Sequence, residues 1–525
     1  MEETASNNTA RVRPLIPAHA FVFVASFCLM VVELVAGRVI APFLGNSLYT
    51  WTGVIGVILA GMAIGNFIGG RLAEKKVDWK TVGLIFIIAA DTAVFCYYFT
   101  YLFAAHIRRL PLSLPEAIIL FASLAFLPVS VLLSMVTPMV ISLTLKSLAK
   151  TGSTVGGIYA ISALASIAGT FATGFLLIAW MGVRIIILCV GAVLLMAGIL
   201  AARDKSITSS PPVLLCLGLL FFGLTCPNLC MKETAYFCVR IVQGQDAVGP
   251  VTKLVLDNLV HSQTTDDPRH IAYDYEYVYA VALEYAARSA GHPLRTLTIG
   301  GGGYAGPRFI LENYPDADVT VAEIDPGVTK SATLFLGLNP ESPIKTVNKD
   351  ARLFLDGAET DKSYDIIFGD AFNDLAIPYH LTTKEFFQIV HDHLASGGLY
   401  MLNTIDQSAD GRLLAAFMNT AQTVFPYVEV APLAGRWQET KERNTIVLVA
   451  SDKPIDRNEW LVAANVAYAS RVAHPVSLPL ERAKYLLTEE EKKDFLSKRQ
   501  KLVLTDDYAP TDNLAAPMFL AAQYH

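Results

Sequence analysis

Leu294-Arg-Thr-Leu-Thr-Ile-Gly-Gly-Gly-Gly-Tyr-Ala-Gly-Pro307 reads as a short buried strand, Thr296–Ile299, that runs into a glycine loop and then a helix opened by Pro307. Glycines let the backbone come close to a ligand, and a helix N-terminus presents free N–H groups. Twenty residues beyond Gly303 stands Glu323, ending a second apolar run, where a carboxylate can accept both hydroxyls of a ribose. Asp350 and Asp370 end a third and a fourth run. Ligands of open α/β sheets bind at the C-terminal ends of the strands. The glycine loop, with Gly301 and Gly303, and the three acids therefore ring one crevice.

Outward from that loop, seven strands are expected: Thr296–Ile299, Val319–Ala322, Ile344–Val347, Tyr364–Phe368, Leu399–Asn403, Tyr427–Ala431 and Thr445–Ala450. Helical segments over Tyr304–Asn313, Pro326–Leu336 and Thr383–Leu394 separate them. Short, nearly continuous apolar runs alternating with helices are the pattern of a doubly wound sheet. Upstream, Tyr236–Val242, Lys253–Leu256 and His261–Thr265 predict a small β-rich lead-in, followed by a helix over Tyr275–Ser289. An acid at the first strand end argues against a phosphate-rich ligand, and no Gly-Lys-Ser or Gly-Lys-Thr loop occurs. A nucleoside without phosphates fits, such as S-adenosylmethionine or its decarboxylated form. Asp370 is then free to hold an attacking amine or take its proton. Its plainer role is an N-cap for the following segment.

The composition divides the chain. Of 525 residues 53% are hydrophobic and only 17% charged, against roughly a quarter in soluble domains. A mean hydropathy of +0.44 excludes a disordered chain and argues against a wholly soluble enzyme. Residues 1–232 carry 15 Lys and Arg against 8 Asp and Glu, and the remainder carries 26 against 39. Seven membrane spans are expected, near 19–43, 50–72, 81–103, 116–145, 153–180, 183–202 and 211–231, each close to the ~20 residues a crossing needs. Gly61, Gly65 and Gly69 stand at the helical spacing that lets two helices approach closely. Glu33, Arg38 and Asp91 fall within spans, and intramembrane ionisable groups point to function unless they neutralise a neighbour. The basic residues beside the spans favour an inside N-terminus, and seven crossings would then leave the second half outside. The seven cysteines are scattered through apolar segments, without a CxxC pair, and predict no disulfide framework. No metal-ligand set and no nucleic-acid partner are expected. The organisation is a tail over 1–18, a transmembrane domain over 19–231, a lead-in and helix over 232–290, a nucleoside-binding domain over 291–452 and a mainly helical segment over 453–525.

The second half resembles the spermidine synthase (polyamine aminopropyltransferase) family. The residues that carry the likeness are Glu233-Thr-Ala-Tyr236, Leu256-Asp-Asn-Leu-Val-His261, Tyr275-Glu276, Gly301-Gly-Gly303, Glu323-Ile-Asp325, Asp350-Ala351 and Asp365-Ile-Ile-Phe-Gly-Asp370. Asp370–Pro378 and Leu504–Pro510 are similar to the branch in which several spans precede the synthase-like domain. Ala60–Glu74 is similar to a loop motif of major-facilitator transporters that this branch shares. The resemblance implies a multi-pass α-helical membrane domain followed by a Rossmann-like, class I methyltransferase-type sheet of seven strands. It implies aminopropyl transfer from decarboxylated S-adenosylmethionine as co-substrate, with no tightly bound cofactor, and a tendency to form homodimers. Glu323 would hold the ribose, Asp350 and Ala351 the adenine, and Gly301, Gly303 and His261 would complete the nucleoside site. Asp370 would be the proton acceptor, with Tyr275, Tyr304 and Asp374 on the amine side.

The departures fall on that amine side. The family has Asp where Tyr304 follows the glycines, Gln where Phe237 follows Tyr236, His or Gln where Tyr275 precedes Glu276, and Asp where Asn373 stands beside Asp374. A more apolar, aromatic amine site next to a lipid bilayer suits an acceptor bulkier than putrescine. Two other functions share the same sequence features: methyl transfer from S-adenosylmethionine, and a transporter or sensor whose nucleoside domain only binds. The donor's chemistry expects a cytoplasmic catalytic domain on a multi-pass cell-membrane protein, opposite to the side given by seven crossings.

Overall fold

The computed structural model describes residues 17–520, apart from 76, 108, 146–149, 247–248, 358–362, 373–376, 434–439 and 474–483. The chain forms two compact units, Met1–Leu44 with Leu48–Leu229, and Gly45–Ser47 with Cys230–His525.

Among the described residues, six helices of the first unit are long and apolar enough to cross a membrane: Ala18–Leu44, Leu48–Ala73, Trp79–Ala104, Leu114–Thr144, Thr151–Trp180 and Val183–Ala202. The expected seventh span is corrected. Its helix is only Pro211–Thr225, about 22 Å long at 1.5 Å per residue, against a hydrocarbon core of about 30 Å. Pro227 ends it early, because the residue before a proline is pushed out of the helical region, and Cys226 is indeed extended with ψ 144°. The glycine stripe does pack as its spacing predicts. A Cβ at Gly65 would lie 2.8 Å from the Ser134 Cβ, and one at Gly69 would lie 2.7 Å from the Met135 Cα, so helix Leu48–Ala73 rides directly on helix Leu114–Thr144.

The second unit opens with strands β1 Lys232–Glu233, β2 Cys238–Gln245, β3 Pro250–Leu256 and β4 Leu259–Thr264, an antiparallel sheet in chain order. The β1–β2 turn pairs Glu233 with Cys238 and brings Cys230 within 5.2 Å, Cα to Cα, where the two cysteines form a disulfide. The expectation of no disulfide is thereby corrected. The sequence reading placed Cys230 inside a span, whereas the shorter helix leaves it free to meet Cys238 across the turn.

Seven further strands follow: β5 Arg295–Ile299, β6 Asp318–Ala322, β7 Lys345–Val347, β8 Tyr364–Gly369, β9 Leu394–Gln407, β10 Tyr427–Pro432 and β11 Arg443–Ser451. Their order is β10-β11-β9-β8-β5-β6-β7. The strands β5 to β9 pair in parallel, and β10 and β11 are antiparallel. Every residue of β8 is buried, as a central strand covered on both faces requires. Helices Asp274–Ala290 and Arg457–Val466 contribute Tyr277, Val281 and Trp460 to one core with Phe368, Met401 and Val447. The strand β9 runs well past the expected Leu399–Asn403, and its extra length pairs with β11 up to Arg443 opposite Gln407.

Candidate active site

The sheet changes direction at β5, with β6 and β7 to one side and β8 and β9 to the other. At that point the Asp370 N–H donates to the Ile299 carbonyl at 2.9 Å. A Cβ on Gly300, whose φ is +92°, would fall 2.6 Å from the Asp370 carbonyl oxygen, so the crossing requires glycine. Such a switch point is where an open α/β sheet receives its ligand, and a cavity of about 540 Å³ lies there.

On the β6–β7 side stand the groups suited to a nucleoside. Glu323 is buried, with Oε2 accepting from the Gly301 N–H at 2.7 Å and Oε1 from the Asp325 N–H at 2.9 Å. Burial pushes its carboxyl up, and these backbone donors oppose the shift. The Gly302 N–H also donates to Oε2, at 3.4 Å, so of the roughly four lone-pair sites of an ionised carboxylate one remains for a sugar hydroxyl. Asp350 caps helix Ala351–Leu355 through Oδ1, which accepts from the N–H groups of Arg352 at 2.9 Å and Leu353 at 3.2 Å. Its Oδ2 lies 2.8 Å from His380 Nε2, and that bond is the first cause holding Asp350 below the usual carboxylate range. Gly301, Gly303, Ala351 and His261 all line the cavity. Burial drives the His261 imidazole down to about 4, so it is neutral at physiological pH. Gly303 abuts the lead-in sheet, since a Cβ there would meet Ser262 Oγ at 2.5 Å.

Asp370 ends the central strand with both carboxylate oxygens held. Asn403 Nδ2 donates to Oδ1 at 2.8 Å, and the Tyr275 hydroxyl donates to Oδ2 at 3.1 Å. Burial raises its pKa, and the two hydrogen bonds pull the other way. Among the described residues both oxygens accept from side chains, and the segment that Asp370 would cap includes residues outside the described ones. Beyond it lies an aromatic wall: Tyr273 stacks on Tyr275 with centroids 5.8 Å apart, Tyr275 meets Tyr279 edge-on at 5.4 Å, and Tyr279 contacts Phe368 at 4.6 Å. Glu276 lines the same end, its carboxyl pushed up to about 8 by burial first and by the Asp370 charge second.

Three expectations need comment. Tyr304 does not reach the cavity. Its backbone is left-handed at φ 59°, and its fully buried ring packs on Val239, Leu254 and Val321. The Tyr304 hydroxyl lies 3.0 Å from Thr329 Oγ1 and 3.1 Å from Thr346 Oγ1, so the amine-side role is corrected to a core one. Asp374 lies outside the described residues. Asn403 and His380 were missed. Asn403 could have been found as the polar end of an otherwise apolar strand, whereas nothing local marks His380, thirty residues from the acid it meets.

Against known proteins, the chain is 30% identical over 223 residues to a polyamine aminopropyltransferase of Vibrio vulnificus (strain CMCP6), covering 42% of this chain and 70% of that one. The chain belongs to the polyamine aminopropyltransferase family. Polyamine aminopropyltransferase 2 of Ralstonia nicotianae is 23% identical over 447 residues, covering 79% of this chain and 84% of that protein, so the likeness extends into the helical unit. The crystal structure of a probable spermidine synthase from Corynebacterium glutamicum superposes with a TM-score of 0.43 at 22% identity, covering 52% of this chain and 95% of that one. No family model matches.

Proposed function

We propose that this member of the family transfers an aminopropyl group from decarboxylated S-adenosylmethionine to an amine such as putrescine, releasing methylthioadenosine. The observation that carries the reading is the placement of Asp370. It is half-buried and oriented by two side chains, between a nucleoside-shaped end of the cavity and an aromatic one. Gly301, Gly303, Glu323, Asp350, Ala351 and His261 would hold the adenosyl part, and Tyr275 would position the base. The amine nitrogen attacks the carbon next to the sulfonium, the C–S bond breaks with its electrons passing to sulfur, and the proton leaving nitrogen goes to Asp370. A carboxylate whose pKa is raised by burial is a better proton acceptor for that step than an exposed one. The six long apolar helices support a membrane-anchored enzyme. Six crossings from an inside N-terminus return the chain to the cytosolic side, where adenosyl-sulfonium donors are made.

The test is mass spectrometry of the nucleoside product after incubation with decarboxylated S-adenosylmethionine or S-adenosylmethionine, each with and without an amine. Methylthioadenosine formed only in the presence of amine is the expected result. S-adenosylhomocysteine would make the protein a methyltransferase, and neither product would leave a binding or transport role.

A further inference from the structure

We propose that the acceptor is an amine that also bears a carboxylate, an amino-acid-like amine rather than a plain diamine, and that Arg443 is the residue that selects it. The inference rests on the aminopropyl-transfer reading and names the acceptor class of the same site.

The sheet order separates the two ends of the cavity. The nucleoside groups follow β5, β6 and β7, Asp370 follows β8, and β9 with β11 continue on the opposite side. Arg443, Asn444, Thr445 and Ile405 line the cavity from that side. The register fixes how far out each stands. Asn403, which holds Asp370, is opposite Val447, Ile405 is opposite Thr445, and Gln407 is opposite Arg443. Four residues of strand separate the Asn403 level from the Arg443 level, about 13 Å at 3.3 Å per residue. An extended arginine side chain and a short-chain amino acid are together long enough to bridge that distance.

The charges on that side decide the acceptor class. A plain diamine brings a second ammonium, which a free carboxylate beyond Asp370 would hold best. Among the described lining residues the acids are Glu276, Glu323, Asp350 and Asp370. Glu323 and Asp350 belong to the nucleoside end. Glu276 turns its carboxyl to the Tyr273 backbone N–H at the start of its helix, and burial beside Asp370 keeps it protonated at neutral pH. The group that remains is the Arg443 guanidinium. Among the described residues it has no hydrogen-bond or ion-pair partner, and it stands on an exposed residue that lines the cavity. An ammonium is repelled there, whereas a carboxylate meets the planar donor fork that suits it.

Putrescine and L-ornithine differ by one carboxylate and isolate the effect. The full-length protein, with decarboxylated S-adenosylmethionine as donor, is assayed for methylthioadenosine release with each amine. A parallel titration with methylthioadenosine checks that every variant retains a folded nucleoside site. The expected kcat/KM favours L-ornithine. Arg443→Gln lowers the ornithine-to-putrescine ratio by about tenfold or more, as loss of a charged hydrogen bond implies, and Arg443→Glu inverts the preference. Equal use of both amines, or a ratio unmoved in both variants, overturns the Arg443 inference and leaves aminopropyl transfer standing. If no amine releases methylthioadenosine from a protein that binds it, the transfer reading falls and the inference falls with it.

Discussion

Asp370 accepts hydrogen bonds from Tyr275 and Asn403, and on the proposed aminopropyl transfer the first would do the chemistry while the other two set its state. The Asp370→Asn variant keeps the shape and loses the proton acceptor. Turnover should fall to background while methylthioadenosine still binds, as read by calorimetry. Full activity in that variant would remove Asp370 from the mechanism. Tyr275→Phe tests the tuning. The Tyr275 hydroxyl stabilises the ionised carboxylate against burial, so its loss lets the folded-state pKa rise further. The base form is then lost at a higher pH on acidification, and the acidic limb of the kcat/KM profile moves upward. A charged hydrogen bond is worth about 1.5–3 kcal/mol, and 1.36 kcal/mol corresponds to one unit, so the limb should move by about one unit or more. An acidic limb that stays in place would mean that Tyr275 only packs. At the same scale, the Tyr304 substitution is structural. A tyrosine in the left-handed position after the glycines cannot turn its ring to the ligand, because the ring fills the core between the lead-in sheet and β6.

Among the elements, the pair of helices Leu48–Ala73 and Leu114–Thr144 makes the sharpest prediction. Gly65 and Gly70 are five residues apart, yet a Cβ at Gly65 collides with the Val131 carbonyl oxygen while one at Gly70 meets nothing within 4 Å. Gly65→Ala should destabilise the detergent-solubilised protein by about 1–3 kcal/mol, the usual cost of overpacking, and Gly70→Ala should be near neutral. Equal melting temperatures for the two variants would contradict the packing. Most elements were legible beforehand because period and composition are local: all seven strands, the lead-in and the helix after it follow from apolar runs. The length of β9 was not, because its outer half is strand only through pairing with β11. The role of Leu504–Pro510 was also hidden. Asp506 in that motif accepts from Arg352 Nη1 at 2.7 Å and from the Thr383 hydroxyl at 2.7 Å. It thereby braces the helix that Asp350 caps, from 154 residues away.

For the whole molecule, the six helices long and apolar enough to cross a membrane make the side on which the acidic unit works a testable property. On the proposed function, six crossings and a cytosolic donor would put that unit inside. The Cys230–Cys238 disulfide favours the other side, since such bonds persist in oxidising compartments and are rare in the cytosol. Ser497 is exposed at the end of helix Glu489–Ser497, so a Ser497→Cys protein can be treated with a membrane-impermeant maleimide on intact cells. Labelling only after the cells are opened is expected, and labelling of intact cells would put the unit outside. The sequence by itself determined that a membrane-length helical half precedes a doubly wound sheet, and that a glycine loop and three acids end its first four strands. Those features depend on local periodicity, and each side chain's place follows from the strand that carries it. Tertiary structure alone decided that the last apolar stretch stops short of a span, and that Cys230 meets Cys238. It also decided that Tyr304 turns inward, and that Asn403 and Tyr275 converge on Asp370 from strands and helices far apart in the chain. Contacts between distant segments leave no periodic trace, because the partner that satisfies each buried group is chosen by packing rather than by its neighbours in sequence.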